Sequence, residues 1–234
     1  MTKGKLHLIP TPLGDYEPQL VLPQPVLDII PHITLFYVEE IRTARRFLSR
    51  AGLKGHIDSL TFFEINEHSD RVQIEEMARH LGECDAALIS EAGLPAVADP
   101  GAQLVELAHR MDVEVVPCVG PSSLMMALMS SGMNGQCFAF TGYLPVKKED
   151  RRARIAQLEK ISISQKQTQI IIETPYRNDS LMEDLLSVCR PTTRICVAAD
   201  ITLPEAFIRT RSVSQWKAAG VQIGKRPCVF VLQG

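Results

Sequence analysis

The sequence predicts an α/β protein of two domains, the first built on a parallel sheet and the second on a mixed one. Three observations carry this. Between residues 6 and 117, short apolar runs alternate with helix-period segments, the pattern of parallel strands covered by helices. Beyond residue 137 strands recur, but the later ones are joined too briefly for crossovers, which calls for antiparallel pairing. Between the two halves lies LMMALMSS (residues 124–131), an almost wholly apolar helix expected to be buried between a sheet and a second unit. The domains are therefore placed at 1–118 and 119–234.

Residues 6–9 (LHLI) make a first strand. Pro10 and Pro12 stop it, because proline has no N–H to give a central ladder. Residues 16–25 hold Pro18, Pro23 and Pro25 and read as irregular, and residues 26–30 as a helical turn ended by Pro31. ITLFYV (33–38) is β-branched and aromatic, a second strand. In residues 41–51, Ile41, Ala44, Phe47 and Leu48 fall at helical spacing, with Gly52 as the stop. Residues 60–65 are a third strand. Ser69 as N-cap and Asp70 as first-turn acid open a helix that Gly82 closes. Residues 86–90 and 113–117 are the fourth and fifth strands; Asp99 as N-cap and Pro100 in the first turn open the helix between them. In the second half, strands are expected at 137–141, 168–173, 194–199, 207–213 and 228–232, with helices at 147–163, 178–189 and 214–219 and a loop at 142–145.

Composition narrows the function. The 234 residues are 45% hydrophobic, enough for a real core. A formal net charge of −2 excludes a globally basic nucleic-acid protein and leaves room for a local patch. The six cysteines include no C-x-x-C pair and read as buried free thiols of a reducing compartment. The six histidines include no i,i+4 pair, so no metal site is expected. The apolar run near the N-terminus is too short for a signal peptide and no stretch approaches 18 apolar residues, so a cytoplasmic protein is expected.

Two loops stand out as a ligand site. SEAGLPAVADPG (90–101) follows the fourth strand and VPCVGPSS (116–123) leaves the fifth, and each then opens a helix. Small residues at strand ends let a ligand approach the backbone, which is how open α/β sheets build binding crevices. There is no G-x-G-x-x-G after the first strand and no G-x-x-x-x-G-K-[ST] anywhere, so a phosphate cradle is not indicated and a nucleoside-type ligand is.

Seven motifs in order, IPTPLGD (9–15), EEIR (39–42), SEAGLPAVADPG (90–101), VVPCVGPSS (115–123), FTGYLP (140–145), KKEDRRAR (147–154) and ETPYR (173–177), resemble the tetrapyrrole methylase superfamily over about 220 residues. The branch most resembled methylates small-subunit ribosomal RNA at a cytidine ribose 2′-hydroxyl. The resemblance implies two α/β domains with S-adenosylmethionine (SAM) in the cleft between them, a homodimer and no metal. By motif matching it implies cofactor contacts at Leu13, Gly93, Leu94, Val97, Ser122 and Ser123, with Ile172, Ala199 and Cys228 from the second domain. SAM carries no phosphate, so backbone donors and apolar walls suit it better than a basic cradle. Against the usual pattern of that branch, Glu91 stands for Asp, Leu94 for Thr, Ile41 for the Thr of E-D-T-R, and Thr174-Pro175-Tyr176-Arg177 for S-T-H-R.

Methyl transfer to a ribose hydroxyl gains from a general base. Glu39, Glu64 and Glu173 follow apolar strands and are the candidates; a solvated strand-end charge is the alternative for each. Arg42 and Arg177 are candidates to hold a substrate phosphate or carboxylate. Lys147, Lys148, Arg151, Arg152 and Arg154 form a basic cluster that reads either as an RNA-backbone contact or as a solvated helix face. Two other acceptor classes stay open: a tetrapyrrole or other small molecule, and no acceptor at all in a SAM-binding regulator.

Overall fold

The computed structural model describes residues 3–234; the first two residues of the expected first domain lie outside them. The chain divides into two compact units after Ser122.

The first unit alternates strand and helix: β1 (Leu6–Leu8), α1 (Gln24–Ile29), β2 (Leu35–Val38), α2 (Ile41–Leu48), β3 (Thr61–Glu64), α3 (Arg71–Met77), β4 (Ala86–Ile89), α4 (Ala102–Arg110) and β5 (Val115–Pro117). The strands form one sheet in the order β3-β2-β4-β1-β5, every pair parallel. All four residues of β2 and of β4 are buried, because helices cover both faces of a parallel sheet. Phe36, Val38 and Leu48 belong to the core on one face; Tyr37, Leu88 and Leu104 belong to the core on the other. β1 and β4 are neighbours, yet β1 leads by α1 to β2 on one side and β4 leads by α4 to β5 on the other. Their carboxyl ends therefore lie at a point where the connections diverge, the place where open sheets leave a crevice.

Helix starts differ in detail from expectation. Asp70, not Ser69, caps α3, in a reciprocal box with Gln73; the Ser69 hydroxyl accepts from Asn66 N instead. Glu40 caps α2 by accepting from Arg42 N (2.8 Å) and Thr43 N (2.7 Å). Gly101, with no side-chain bond, stands at the N-cap of α4, so Asp99 is released from the capping role the sequence suggested. The helix of 41–51 closes its α-turns at Leu48 and continues as a wider turn that holds Gly52.

The second unit comprises α5 (Ser123–Ser131), β6 (Phe138–Tyr143), α6 (Lys148–Gln165), β7 (Thr168–Ile172), α7 (Asn178–Val188), β8 (Arg194–Ala199), β9 (Phe207–Ser212), α8 (Val213–Ala219) and β10 (Cys228–Gln233). Its sheet runs β6-β7-β10-β8-β9, parallel only between β6 and β7. The expected loop at 142–145 begins late, because β6 continues through a register shift at Gly142 to Tyr143. Trp216 is buried in the core beside Val197 and Phe230, its indole N–H donating to Ile195 O at 2.9 Å. Helix α5 is not buried all round as expected. Leu124, Ala127, Leu128 and Ser131 are buried, whereas Met129 is 81% exposed. Of the six free cysteines, Cys189, Cys196 and Cys228 are buried and Cys84 is exposed, so burial holds for only part of the set.

Candidate functional site

In the first unit, the loops after β1, β4 and β5 lock together. Thr11 N donates to Gly93 O (2.9 Å) and Gly93 N to Thr11 O (3.1 Å), a two-bond antiparallel bridge between Pro-Thr-Pro and Ser-Glu-Ala-Gly. Thr11 Oγ1 adds a bond to Ser90 O (3.2 Å). Gly93 has φ +81°, and a Cβ there would stand 3.2 Å from Leu13 Cδ2 and 3.5 Å from Pro121 O. A Cβ on Gly120 would stand only 2.3 Å from Pro10 Cβ. Both glycines thus serve close packing of loop on loop. Four positive φ values occur between residues 93 and 101, two of them at Ala96 and Ala98, where a side chain makes that conformation costly.

A cleft of about 260 Å³ opens beside this knot. Thr11 and Leu13 line it from the first loop, Ser90 and Glu91 from the second, and Thr43, Arg46, Phe47 and Arg50 from α2 and the turn after it. Asp15 and Arg50 pair at 2.5 Å, tying the first loop to that turn and holding the Asp15 carboxyl below the usual range.

The carboxylates around the cleft take distinct parts. Glu39 Oε2 accepts from Glu91 N (3.1 Å), so this base candidate fastens the β4 loop. Glu40 is held below its ordinary value by the Thr43 hydroxyl and then the Arg42 N–H. Glu91 is raised, by burial first and then by Glu39 and Glu40, with the Thr43 hydroxyl opposing. Asp99 is pushed up to about 6, by burial first and then by the Glu39 charge, while Ser90 lies close enough to oppose the rise. Ser90 Oγ is itself buried with no partner at hydrogen-bond geometry among the described residues. Asp99 was legible only as a cap; its part emerges when Glu39 and Glu91 are brought near it.

The raised Asp99 value has a consequence for stability. The folded protein holds this proton up to about pH 6, whereas the unfolded chain releases it near 3.8. The stabilisation is therefore full below pH 3.8 and is lost as pH rises through 6. Partial exposure screens the effect to about 1–2 kcal/mol. Asp99→Asn is expected to gain that much on wild type in urea unfolding at pH 7 relative to pH 4. A difference between the two proteins that does not change with pH would contradict it.

The other candidates separate. Arg42 is exposed in the first turn of α2. Glu64 is exposed on edge strand β3, its Oε1 accepting from Asn66 Nδ2 (2.9 Å), with β2 between it and β4. Leu94, Ser122 and Ser123 are half-buried and Val97 is exposed.

In the second unit, Ala199 pairs with Cys228 and Ile172 with Val229, so Ile172, Ala199 and Cys228 meet at one end of the sheet on β7, β8 and β10. Ala199 is fully enclosed and Cys228 nearly so, and burial pushes the Cys228 thiol up to about 12. Glu173 at the same end is no solvated charge. It is 5% exposed, Arg177 Nη2 stands 2.7 Å from its Oε2, and its Oε1 accepts from Thr174 N (2.8 Å). Glu173 and Arg177 therefore neutralise one another.

The basic cluster also divides. Arg151 is a correction to the expected substrate contact: it is 5% exposed, with Nε donating to Asp184 Oδ2 (2.8 Å), Nη1 to Val146 O (2.9 Å) and Nη2 to Ser180 Oγ (3.1 Å). Helix periodicity turns it toward α7, where Asp184 is buried. Arg152 bonds Ser187 and Arg154 bonds Gln157. Lys147 and Lys148 stay exposed.

Residues 22–215 match the family described as Tetrapyrrole (Corrin/Porphyrin) Methylases. The chain belongs to the tetrapyrrole methylase family. Among its curated relatives are proteins named ribosomal RNA small subunit methyltransferase I. That of Vibrio cholerae is 28% identical over 84% of this chain and 65% of its own length, so the chain spans about two thirds of that relative. That of Escherichia coli O157:H7 is 27% identical over 100% of this chain and 79% of its own. That of Haemophilus influenzae is 30% identical over 99% and 79%. Among solved structures, the methyltransferase CobJ matches 99% of this chain and 94% of its own with TM-score 0.65 at 13% identity. Uroporphyrin-III C-methyl transferase from Thermus thermophilus, complexed with S-adenyl homocysteine, matches 98% and 97% with TM-score 0.57 at 16% identity. At those identities the structures speak to the tetrapyrrole methylase fold alone. Among the described residues no group of three or more His, Cys, Asp or Glu is placed to hold a metal ion, and no helix is long and apolar enough to cross a membrane.

Proposed function

We propose that this chain is a SAM-dependent methyltransferase acting on a ribose 2′-hydroxyl of small-subunit ribosomal RNA, as a cytoplasmic homodimer. The observation that carries the reading is the match to ribosomal RNA small subunit methyltransferases along essentially the whole chain, with family membership behind it. The strand-end knot fits the cofactor. Leu13, Ser90 and Glu91 line its cleft, and the buried Ser90 hydroxyl has no partner within the described residues. By motif, the residues proposed to hold SAM are Leu13, Gly93, Leu94, Val97, Ser122 and Ser123 of the first unit and Ile172, Ala199 and Cys228 of the second. Bound there, SAM supplies an electrophilic methyl group on a sulfonium.

The chain's own work is to hold an acceptor hydroxyl about 3 Å from that methyl and to take its proton. Asp99, with a pKa of about 6, is the carboxylate in this site best matched to accept a proton near neutral pH, and Glu39 positions the loop that carries it. Arg42 and exposed Lys147 and Lys148 are retained as contacts for substrate phosphates. Exposed Met129, Phe138 and Phe140 on the second unit support self-association. The test is incubation with methyl-labelled SAM and immature small ribosomal subunits. Label on a ribose oxygen of the RNA is expected. Label confined to small molecules would move the acceptor to a tetrapyrrole, and SAM binding with no transfer to any fraction would leave a non-catalytic regulator.

A further inference from the structure

We infer that the outer edge of β9, together with the groove at its C-terminal end, is a binding surface for the phosphate backbone of single-stranded RNA. The inference rests on the RNA reading above and locates part of that contact where no sequence motif placed it. The groove is lined by Arg194 and Arg211, by the hydroxyl residues Thr192, Thr210 and Ser214, and by no carboxylate. β9 is the terminal strand of the sheet, so its outer edge is unpaired among the described residues. Arg209 and Arg211 stand two residues apart on it and share the face that carries Trp216, opposite Thr210, so Arg209 lies beside the groove and outside its lining. Arg209 is exposed, and neither guanidinium has an ion-pair partner among the described residues. Arg211 lies over the Trp216 ring, 5.0 Å from its centroid, which fixes the planar group while leaving its N–H edge for a ligand. Arg194 is pre-positioned by bonds to Gly132 O (3.3 Å) and Gln233.

Residues 207–219 carry Arg209, Arg211 and Lys217 and no acid, in a chain of net charge −2. Charges on an edge strand also discourage pairing with another sheet. A concave, hydroxyl-lined groove with a stacked arginine goes further than that purpose requires. Arginines in this setting suit phosphate, which they contact with several N–H donors at once. In residues 147–154 the most buried guanidinium is spent on Asp184, whereas Arg209 and Arg211 have no acid partner among the described residues.

The test is fluorescence anisotropy of a labelled single-stranded oligoribonucleotide of small-subunit ribosomal sequence, titrated with the full chain across a salt series. Arg209→Gln with Arg211→Gln is expected to weaken binding about tenfold or more and to flatten the log affinity against log salt slope by about 1.4, the value for two lost phosphate contacts on a single strand. Arg209→Lys with Arg211→Lys should keep the slope. Arg209→Gln alone, at an exposed side chain, guards against a folding artefact and should flatten it by about 0.7. SAM affinity by calorimetry should not change. Wild type that binds RNA, with variants of the same affinity and slope, overturns the inference and leaves the RNA reading standing. Wild type without affinity for the oligoribonucleotide overturns the inference, while the labelling of immature small subunits decides the RNA reading separately. A change in molecular mass of the variants without a change in RNA binding overturns the inference and gives the edge to pairing between copies.

Discussion

Arg151→Ala is expected to lower folding stability by about 3–5 kcal/mol, because it strands a buried charge. The Arg151 and Asp184 side chains are 6% and 3% exposed, with Nη2 2.6 Å from Oδ2. Removing the guanidinium leaves Asp184 with only the weaker approach of Arg152 Nε at 3.6 Å, and also frees Val146 O and Ser180 Oγ. Lys148→Ala, at an exposed position in the same run of basic residues, should stay within about 0.5 kcal/mol of wild type. Arg151→Met combined with Asp184→Leu should recover most of the loss, since a well-packed apolar pair replaces a buried ion pair at little net cost. Urea unfolding of the four proteins checks this. Equal, small losses for Arg151→Ala and Lys148→Ala would mean that Arg151 is solvated.

Gly93→Ala is expected to weaken SAM binding about tenfold, a loss of about 1.4 kcal/mol, and Gly93→Val to weaken it further. The cause is the loop itself. At φ +81° any side chain costs about 1–2 kcal/mol, and a Cβ 3.2 Å from Leu13 Cδ2 pushes on the first loop. The Thr11–Gly93 bridge that aligns the two loops would be the first thing to give. Calorimetry with SAM, alongside thermal unfolding, reads both effects. If alanine were tolerated and only valine harmful, the glycine would be serving clearance for a ligand rather than backbone shape.

Much of the architecture was legible because it rests on local patterns. The parallel first sheet followed from apolar runs alternating with helical spacing, and the mixed second sheet from short connections after residue 194. The misreadings arose where a tertiary partner decides. Met129 looked like core because α5 is apolar all round, but only one side of that helix is buried. Arg151 looked like surface because its neighbours are charged, but Asp184 lies 33 positions away in the chain. Glu173 read as a base candidate or a solvated strand end, and neither reading foresaw Arg177 folded back on it. The site shows the same division. Small residues marked the loops, whereas the raised carboxyl of Asp99 depends on Glu39, sixty residues earlier in the chain, and carries no local signature.

The order of strands governs how each unit assembles. In the second sheet, β10 lies between β7 and β8, so the strand latest in sequence fills the middle. Until it arrives, β6–β7 and β8–β9 are two separate ribbons, each with an inner edge of unpaired N–H and C=O groups. In the first sheet, β1 waits for β4, with Leu6 opposite Ala86, before it has a neighbour on that side. Folding in both units is thus governed by long loop closures and is slow relative to a chain of hairpins of the same size. During that interval the ribbons of the second unit are open to pairing with other chains. Loss of residues 228–233 would make the open state permanent and leave a chain that is expected to aggregate.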